Sequence, residues 1–192
     1  MPLIHPLLAG TALVPDSLLR DENETVEPHV LAALTRSLGA ATGIWTAILR
    51  HDPVNRWYTR LVLSGSVEVW LISWCPGQYT RAHDHGGAFG ALSVIQGPVT
   101  EIACDADWRP RDWRQHERVA SLTFDRNHIH KVGNSGTIPA ATIHAYSPPE
   151  LPMRYAPDAA EQAVEGFLLE NALGGAATGD AAGALAVGGG RP

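Results

Sequence analysis

Three observations predict an all-β domain with a short helical region at its N-terminal end. From Trp57 to Pro149 the chain is a succession of short apolar runs separated by turn residues. Within those runs apolar and polar positions alternate with period two, the signature of half-buried strands. Helical spacing, by contrast, is read in the segment before Trp57, where the texture of the chain changes. Short strands at such intervals belong to barrels and sandwiches.

The elements follow in order. The first twenty residues are irregular. In "VEPHVLAALTRSLGAA" (26–41), Val30, Leu31, Leu34 and Leu38 fall at helical spacing among few β-branched residues, which predicts a short helix. "RWYTRLVLSGSVEVWLISWCPGQ" then reads as a hairpin: Tyr58, Arg60 and Val62 alternate with Trp57, Thr59 and Leu61 before a Ser-Gly-Ser turn. Further strands are expected in "ALSVIQGPVTEIACD", "WRQHERVASLTFD", "NHIHKVGNSG" and "PAATIHAYSPP". The end, "GGAATGDAAGALAVGGGRP", is Gly/Ala low-complexity sequence with nothing to bury, so 171–192 is expected to be a flexible tail. One domain over 1–170, with its core at about 57–155, is the expected organisation for 192 residues.

Composition narrows the function. Apolar residues at 45% and charged residues at 18% indicate a globular chain. A net charge of −6 argues against a nucleic-acid partner, which leaves a basic footprint. Two cysteines, Cys75 and Cys104, are too few for a disulfide framework. No apolar run reaches the ~20 residues that span a bilayer, and "LIHPLLAGTALVP" lacks the positive start of a signal peptide. A cytoplasmic protein without membrane partners is expected.

The chemistry centres on "TRAHDHGGAFG". In a strand His83 and His85 point to one face, about 6–7 Å apart along the chain, a spacing at which two ring nitrogens can converge on one metal ion. Two surface or hydrogen-bonded histidines are the alternative, and the surroundings decide. Gly77 lies six residues before His83 and Gly97 twelve after His85; a later strand carries His130, with Asn134 four residues on. His128 shares a strand face with His130 and competes with it as a ligand; the H-x-x-x-N spacing favours His130. His5, His29, His51 and His116 lie outside these motifs and read as surface or capping residues. In "TIHAY", Thr142, His144 and Tyr146 alternate onto one strand face.

This arrangement resembles the two signature motifs of the cupin superfamily, over roughly residues 57–155, and implies a double-sheet jelly roll holding a metal in its mouth. Two departures stand out. The glutamate of the first motif is absent, with Gly90 in its place, and the proline and glycine that precede the last histidine are missing. Three neutral imidazoles leave a divalent ion its full charge and open positions, whereas a carboxylate would lower the first and fill one of the second. That suits an anionic bidentate substrate together with dioxygen. "YTR", "HDHGG", "IHKVGN" and "IHAYSPP", in that order, are similar to bacterial cysteine dioxygenases.

The resemblance implies a mononuclear non-haem Fe(II) enzyme that oxidises L-cysteine to cysteine sulfinate with O2, acting as a monomer. It assigns His83, His85 and His130 as iron ligands. Arg60 would pair with the substrate carboxylate, Tyr58 beside it, and a planar guanidinium is suited to that task. Trp74 corresponds to a pocket-wall aromatic, although as a bare tryptophan it could equally be plain core. Thr142, His144 and Tyr146 match a hydroxyl–histidine–tyrosine relay, and Ser147–Pro148 matches a cis bond. Mammalian members carry a cysteine where Gly90 stands, joined to the pocket tyrosine by a thioether; here Tyr146 is expected to remain a free phenol. Two rivals stay open. One is a dioxygenase for 3-mercaptopropionate or another thiol, a branch that typically has glutamine in place of Arg60. The other is a non-catalytic metal-binding cupin; structural zinc would favour a closed four-ligand site, and no fourth ligand is evident near the motif.

Overall fold

The computed structural model describes residues 1–20 and 24–177, with side chains up to 172. The strands are β1 (Leu3–Ile4), β2 (Tyr58–Leu63), β3 (Glu68–Trp74), β4 (Phe89–Gln96), β5 (Val99–Cys104), β6 (Pro110–His116), β7 (Ser121–Phe124), β8 (Ile129–Gly133) and β9 (Ala140–Ser147). They form a six-stranded sheet, β1-β2-β3-β9-β4-β7, and a three-stranded sheet, β6-β5-β8, with antiparallel pairing throughout. Residues of both sheets share one core cluster: Trp74, Leu92 and Val94 meet Val99 and Val132. This is the expected double-sheet jelly roll.

The larger sheet is buried on both faces, and its period-two pattern separates two environments. Trp70, Ile72 and Trp74 of β3 face the second sheet. Val69 and Leu71 face outward, with Ala91 of β4 and Ile143 and Ala145 of β9, onto α1 (Pro28–Ala40). Alanines at those outward positions let the helix lie close, and Leu31, Leu34 and Leu38 fill the contact. Truncating one such leucine to alanine typically costs about 2–5 kcal/mol. Pro28 begins the helix where its missing N–H is no loss. At Ala41 ψ turns to 58°, which ends α1 and starts a short α2 (Thr42–Ile48) that was not expected. Trp45 and Ile48 bury it against the same core.

A longer helix, α3 (Asp158–Ala177), covers the smaller sheet. Residues 171–177, expected to be tail, are its last turns; the remainder of the expected tail, 178–192, lies outside the described residues. The signal for α3 was present in Asp158 and Glu161, which suit a helix N-terminus, and in Val164 and Leu168 at i,i+4. Its role is to pin the chain ahead of His83. Glu161 accepts the Ala82 N–H at 2.8 Å and pairs with the buried Lys131, while Asp158 pairs with Arg81 at 2.9 Å. Among the described residues, no helix is long and apolar enough to cross a membrane.

Candidate metal centre and active site

His83 and His85 do not occupy a regular strand. They lie in an extended segment in which His83 forms single bridges to His130 and to Tyr155. His83 N–H donates to the His130 carbonyl at 2.9 Å and His130 N–H to the His83 carbonyl at 3.0 Å. Asp84, between the two histidines, turns away and takes the Arg154 side chain and the Gly86 N–H. The two glycines behind the pair make the turn into β4. Gly86 has a φ of +63°, and a Cβ there would sit 2.5 Å from the Pro152 carbonyl oxygen.

The three rings converge, with centroids 4.9–5.2 Å apart and one nitrogen from each within 4.8 Å of the others. Their remaining hydrogen bonds say which nitrogens are available. His83 Nδ1 donates to the Arg81 carbonyl at 2.8 Å, and His130 Nδ1 donates to Glu101 at 2.8 Å, so both present Nε2 to the cluster. Both nitrogens of His85 are buried without a hydrogen-bond partner among the described residues. Burial pushes the His83 imidazole down to about 3, aided by His130 nearby. Burial, then the neighbouring imidazoles, holds His85 well below the usual histidine range, and His130 is lowered chiefly by burial. Three neutral imidazoles with unshared nitrogens, one otherwise unpartnered, are a donor set that fits a divalent metal.

Beside the cluster, the inward face of β9 carries a chain of hydrogen bonds. Trp74 Nε1–H donates to Thr142 Oγ1 at 2.8 Å, Thr142 Oγ1 lies 2.8 Å from His144 Nε2, and His144 Nδ1 lies 2.9 Å from the Tyr146 hydroxyl. The indole can only donate, so Thr142 accepts from it, and Thr142 and Tyr146 hold the two nitrogens of His144 between them. In the tautomer with the His144 proton on Nδ1, the tyrosine oxygen accepts it and the phenol proton is free to be donated elsewhere. Burial brings His144 down to about 3, and burial with the charge of Glu68 raises Tyr146, so the relay is neutral imidazole and intact phenol.

His83, His130, His144 and Tyr146 line a cavity of about 360 Å³, walled also by Ile72, Trp74 and Arg56. That volume suits a small molecule. A model of the cysteine dioxygenase type I family matches residues 16–155. The chain belongs to that family. Cysteine dioxygenase type 1 of Rattus norvegicus is 23% identical over 160 residues, covering 77% of this chain and 72% of the relative; that of Danio rerio is 24% identical over 140 residues, covering 67% and 69%. A Klebsiella pneumoniae protein with a double-stranded β-helix domain has the same fold: TM-score 0.51, 15% identity, 59% of this chain and 94% of that one. Family membership supports a thiol dioxygenase of the non-haem iron kind, and the histidine cluster supports a metal cofactor.

The remaining residues that the family resemblance implies are only partly brought to the cavity. Trp74 lines the cavity and anchors the relay. Thr142 sits behind His144 and does not line the cavity, so it supports the relay rather than touching a substrate. Arg60 and Tyr58 are not brought to the cavity. Across the hairpin Arg60 pairs with Trp70, and its guanidinium stacks over that indole at 4.6 Å. Glu150 at 3.2 Å and Glu68 at 3.7 Å hold it there. Tyr58 is 56% exposed and packs edge-on against Trp70.

Two other arginines line the cavity: Arg81, whose guanidinium is taken by the Ala156 carbonyl and Asp158, and Arg56, four residues before Arg60 in the same "RWYTR". The second is the freer of the two. Its guanidinium lies over Trp74 at 5.2 Å and donates to the Tyr79 carbonyl, while its Nε is buried without a partner among the described residues. His128 does not join the three-histidine cluster: it donates to Glu101, as does His116, which is therefore no mere surface residue. Glu101 itself escaped the sequence reading, because its histidine partners lie 15, 27 and 29 residues away.

Proposed function

We propose that this protein is an Fe(II)-dependent cysteine dioxygenase that converts L-cysteine and O2 to cysteine sulfinate. The observation that carries the reading is the convergence of three neutral imidazoles, with no carboxylate among the converging atoms, at a cavity that also receives a guanidinium. His83, His85 and His130 would hold the iron. Fe(II) held there would keep the thiol deprotonated and supply the redox chemistry between thiolate and dioxygen. One thiol and one O2 give one sulfinic acid, with both oxygen atoms on sulfur, so no external reductant is consumed.

The chain's own residues do the rest. Arg56 takes the substrate carboxylate, a charge-assisted contact that its place on the cavity wall over Trp74 favours. Tyr146, held by His144 and Thr142, donates its phenol proton as a hydrogen bond into the cavity beside the reacting sulfur. Ile72, Val132 and Met153 give the pocket apolar walls that exclude water.

A second reading, 3-mercaptopropionate, shares the thiol and the carboxylate, and Arg56 would serve both acids. Oxygen uptake by Fe(II)-loaded protein with cysteine, 3-mercaptopropionate and cysteamine separates them. The proposal expects the highest kcat/KM for cysteine; a preference for 3-mercaptopropionate would select the second reading, and uptake with no thiol above the protein-free rate would reject both.

A further inference from the structure

Three imidazoles converge on one carboxylate behind the metal cluster. Glu101, in the middle strand of the smaller sheet, is 6% exposed. Its Oε2 accepts from His116 Nε2 at 3.0 Å; its Oε1 accepts from His128 Nε2 at 3.0 Å and from His130 Nδ1 at 2.8 Å. The donors come from three places: the end of β6, the turn before β8, and β8 itself. A carboxylate only accepts, so each of these nitrogens must carry a proton. For His130 this fixes the tautomer, with Nδ1 protonated and Nε2 bare toward His83 and His85.

The two histidines with a known Nδ1 partner are not equivalent. His83 gives its Nδ1–H to a backbone carbonyl, whereas His130 gives its own to a buried anion. A proton shared with a carboxylate leaves the ring a richer donor at its other nitrogen. The ligand set contains no carboxylate, and Glu101 stands one shell further out with the charge such a ligand would bring. His116 and His128 take two more of its acceptor positions, one on each oxygen, which opposes rotation of the carboxylate away from His130.

We propose that Glu101 is a positioning residue of the metal centre, fixing the tautomer of His130 and lending the site negative charge through it. The inference rests on His83, His85 and His130 being the metal ligands, and the controls keep the two readings apart.

Metal-free protein is titrated with Co(II), whose visible bands report occupancy independently of turnover. Glu101→Gln keeps the shape and removes the charge, and is expected to weaken Co(II) binding about 10–100-fold, the range for such outer partners. Loaded with iron, it should also show a more positive Fe(III)/Fe(II) potential. His128→Gln, which leaves the His130–Glu101 bond, should change affinity less than threefold. His83→Ala tests the underlying reading: unchanged Co(II) binding there would remove the metal site itself. Loss of binding in His83→Ala with wild-type affinity and potential in Glu101→Gln would overturn the role of Glu101 alone. Should Glu101→Gln fail to fold, ring ¹⁵N spectra of the wild-type protein loaded with Zn(II) decide. His130 is expected to be metal-bound through Nε2 with a protonated Nδ1, and coordination through Nδ1 would overturn the proposal.

Discussion

Gly90 lies so close to Phe124 that a Cβ at position 90 would stand 1.9 Å from Cε2 of the ring. The ring occupies the space that a side chain at 90 would need; it stacks on His85 at 4.8 Å, as Tyr146 does at 5.1 Å. Glycine at 90 and phenylalanine at 124 are one packing solution for holding the third histidine of the cluster.

Gly90→Ala should therefore destabilise the protein by about 1–3 kcal/mol, the usual cost of overpacking, because a rigid ring rather than a flexible tip must yield. Urea denaturation measures it. Adding Phe124→Leu should recover part of the loss, and strictly additive losses in the double variant would show that the two residues do not share the space.

The same packing bears on Tyr146. Neither cysteine occupies the position that Gly90 holds: Cys75 follows β3 and Cys104 ends β5. Burial and the nearby Asp105 raise the Cys104 thiol to about 11, which makes it a poor nucleophile. After many turnovers, peptide mapping should find Tyr146 unmodified. A loss of two hydrogens shared between Tyr146 and either cysteine would contradict this.

Arg56 and Arg60 make opposite predictions on exchange for glutamine. Charge-assisted hydrogen bonds are worth about 1.5–3 kcal/mol each, and ~1.4 kcal/mol is a decade. Arg56→Gln should lower kcat/KM for cysteine at least tenfold and leave cysteamine, which has no carboxylate, nearly unchanged. Arg60→Gln should affect both thiols little, since its partners are Glu68 and Glu150. The reverse ranking would return the carboxylate to Arg60.

Acid should weaken the metal-free fold before any carboxylate titrates. His83 and His144 titrate near 3 when folded, against 6.5 ordinarily, and burial is the main cause in both. Between those values the unfolded chain binds more protons than the folded one. Stability from these neutral rings is thus complete above about pH 6.5 and is lost as pH falls toward 3. The urea midpoint should be flat from pH 8 to 7 and decline at 6 and 5; a rise on acidification would contradict the buried neutral histidines.

These residues differ in how far the sequence exposed them. His83 with His85, and Thr142 with His144 and Tyr146, were legible because alternation along an extended chain is local. His130 was legible from its spacing to Asn134, whose side chain ties the Trp74 and Ile138 carbonyls together. Choosing between Arg56 and Arg60 required the hairpin register, including the irregularity between Arg60 and Val62, which no local pattern encodes. Glu101 required three strands to be brought together. Helix α3 was hidden by its own composition, since the alanines and glycines that continue from it read as a tail.

The central claim is that three histidines hold an iron that puts dioxygen onto a thiol. Protein loaded anaerobically with Fe(II) and then given L-cysteine under ¹⁸O₂ tests it most directly. The prediction is cysteine sulfinate carrying both labelled oxygens, one O2 consumed per cysteine, and no product from the His85→Ala variant. Cystine with hydrogen peroxide, or sulfinate whose oxygens come from water, would contradict it.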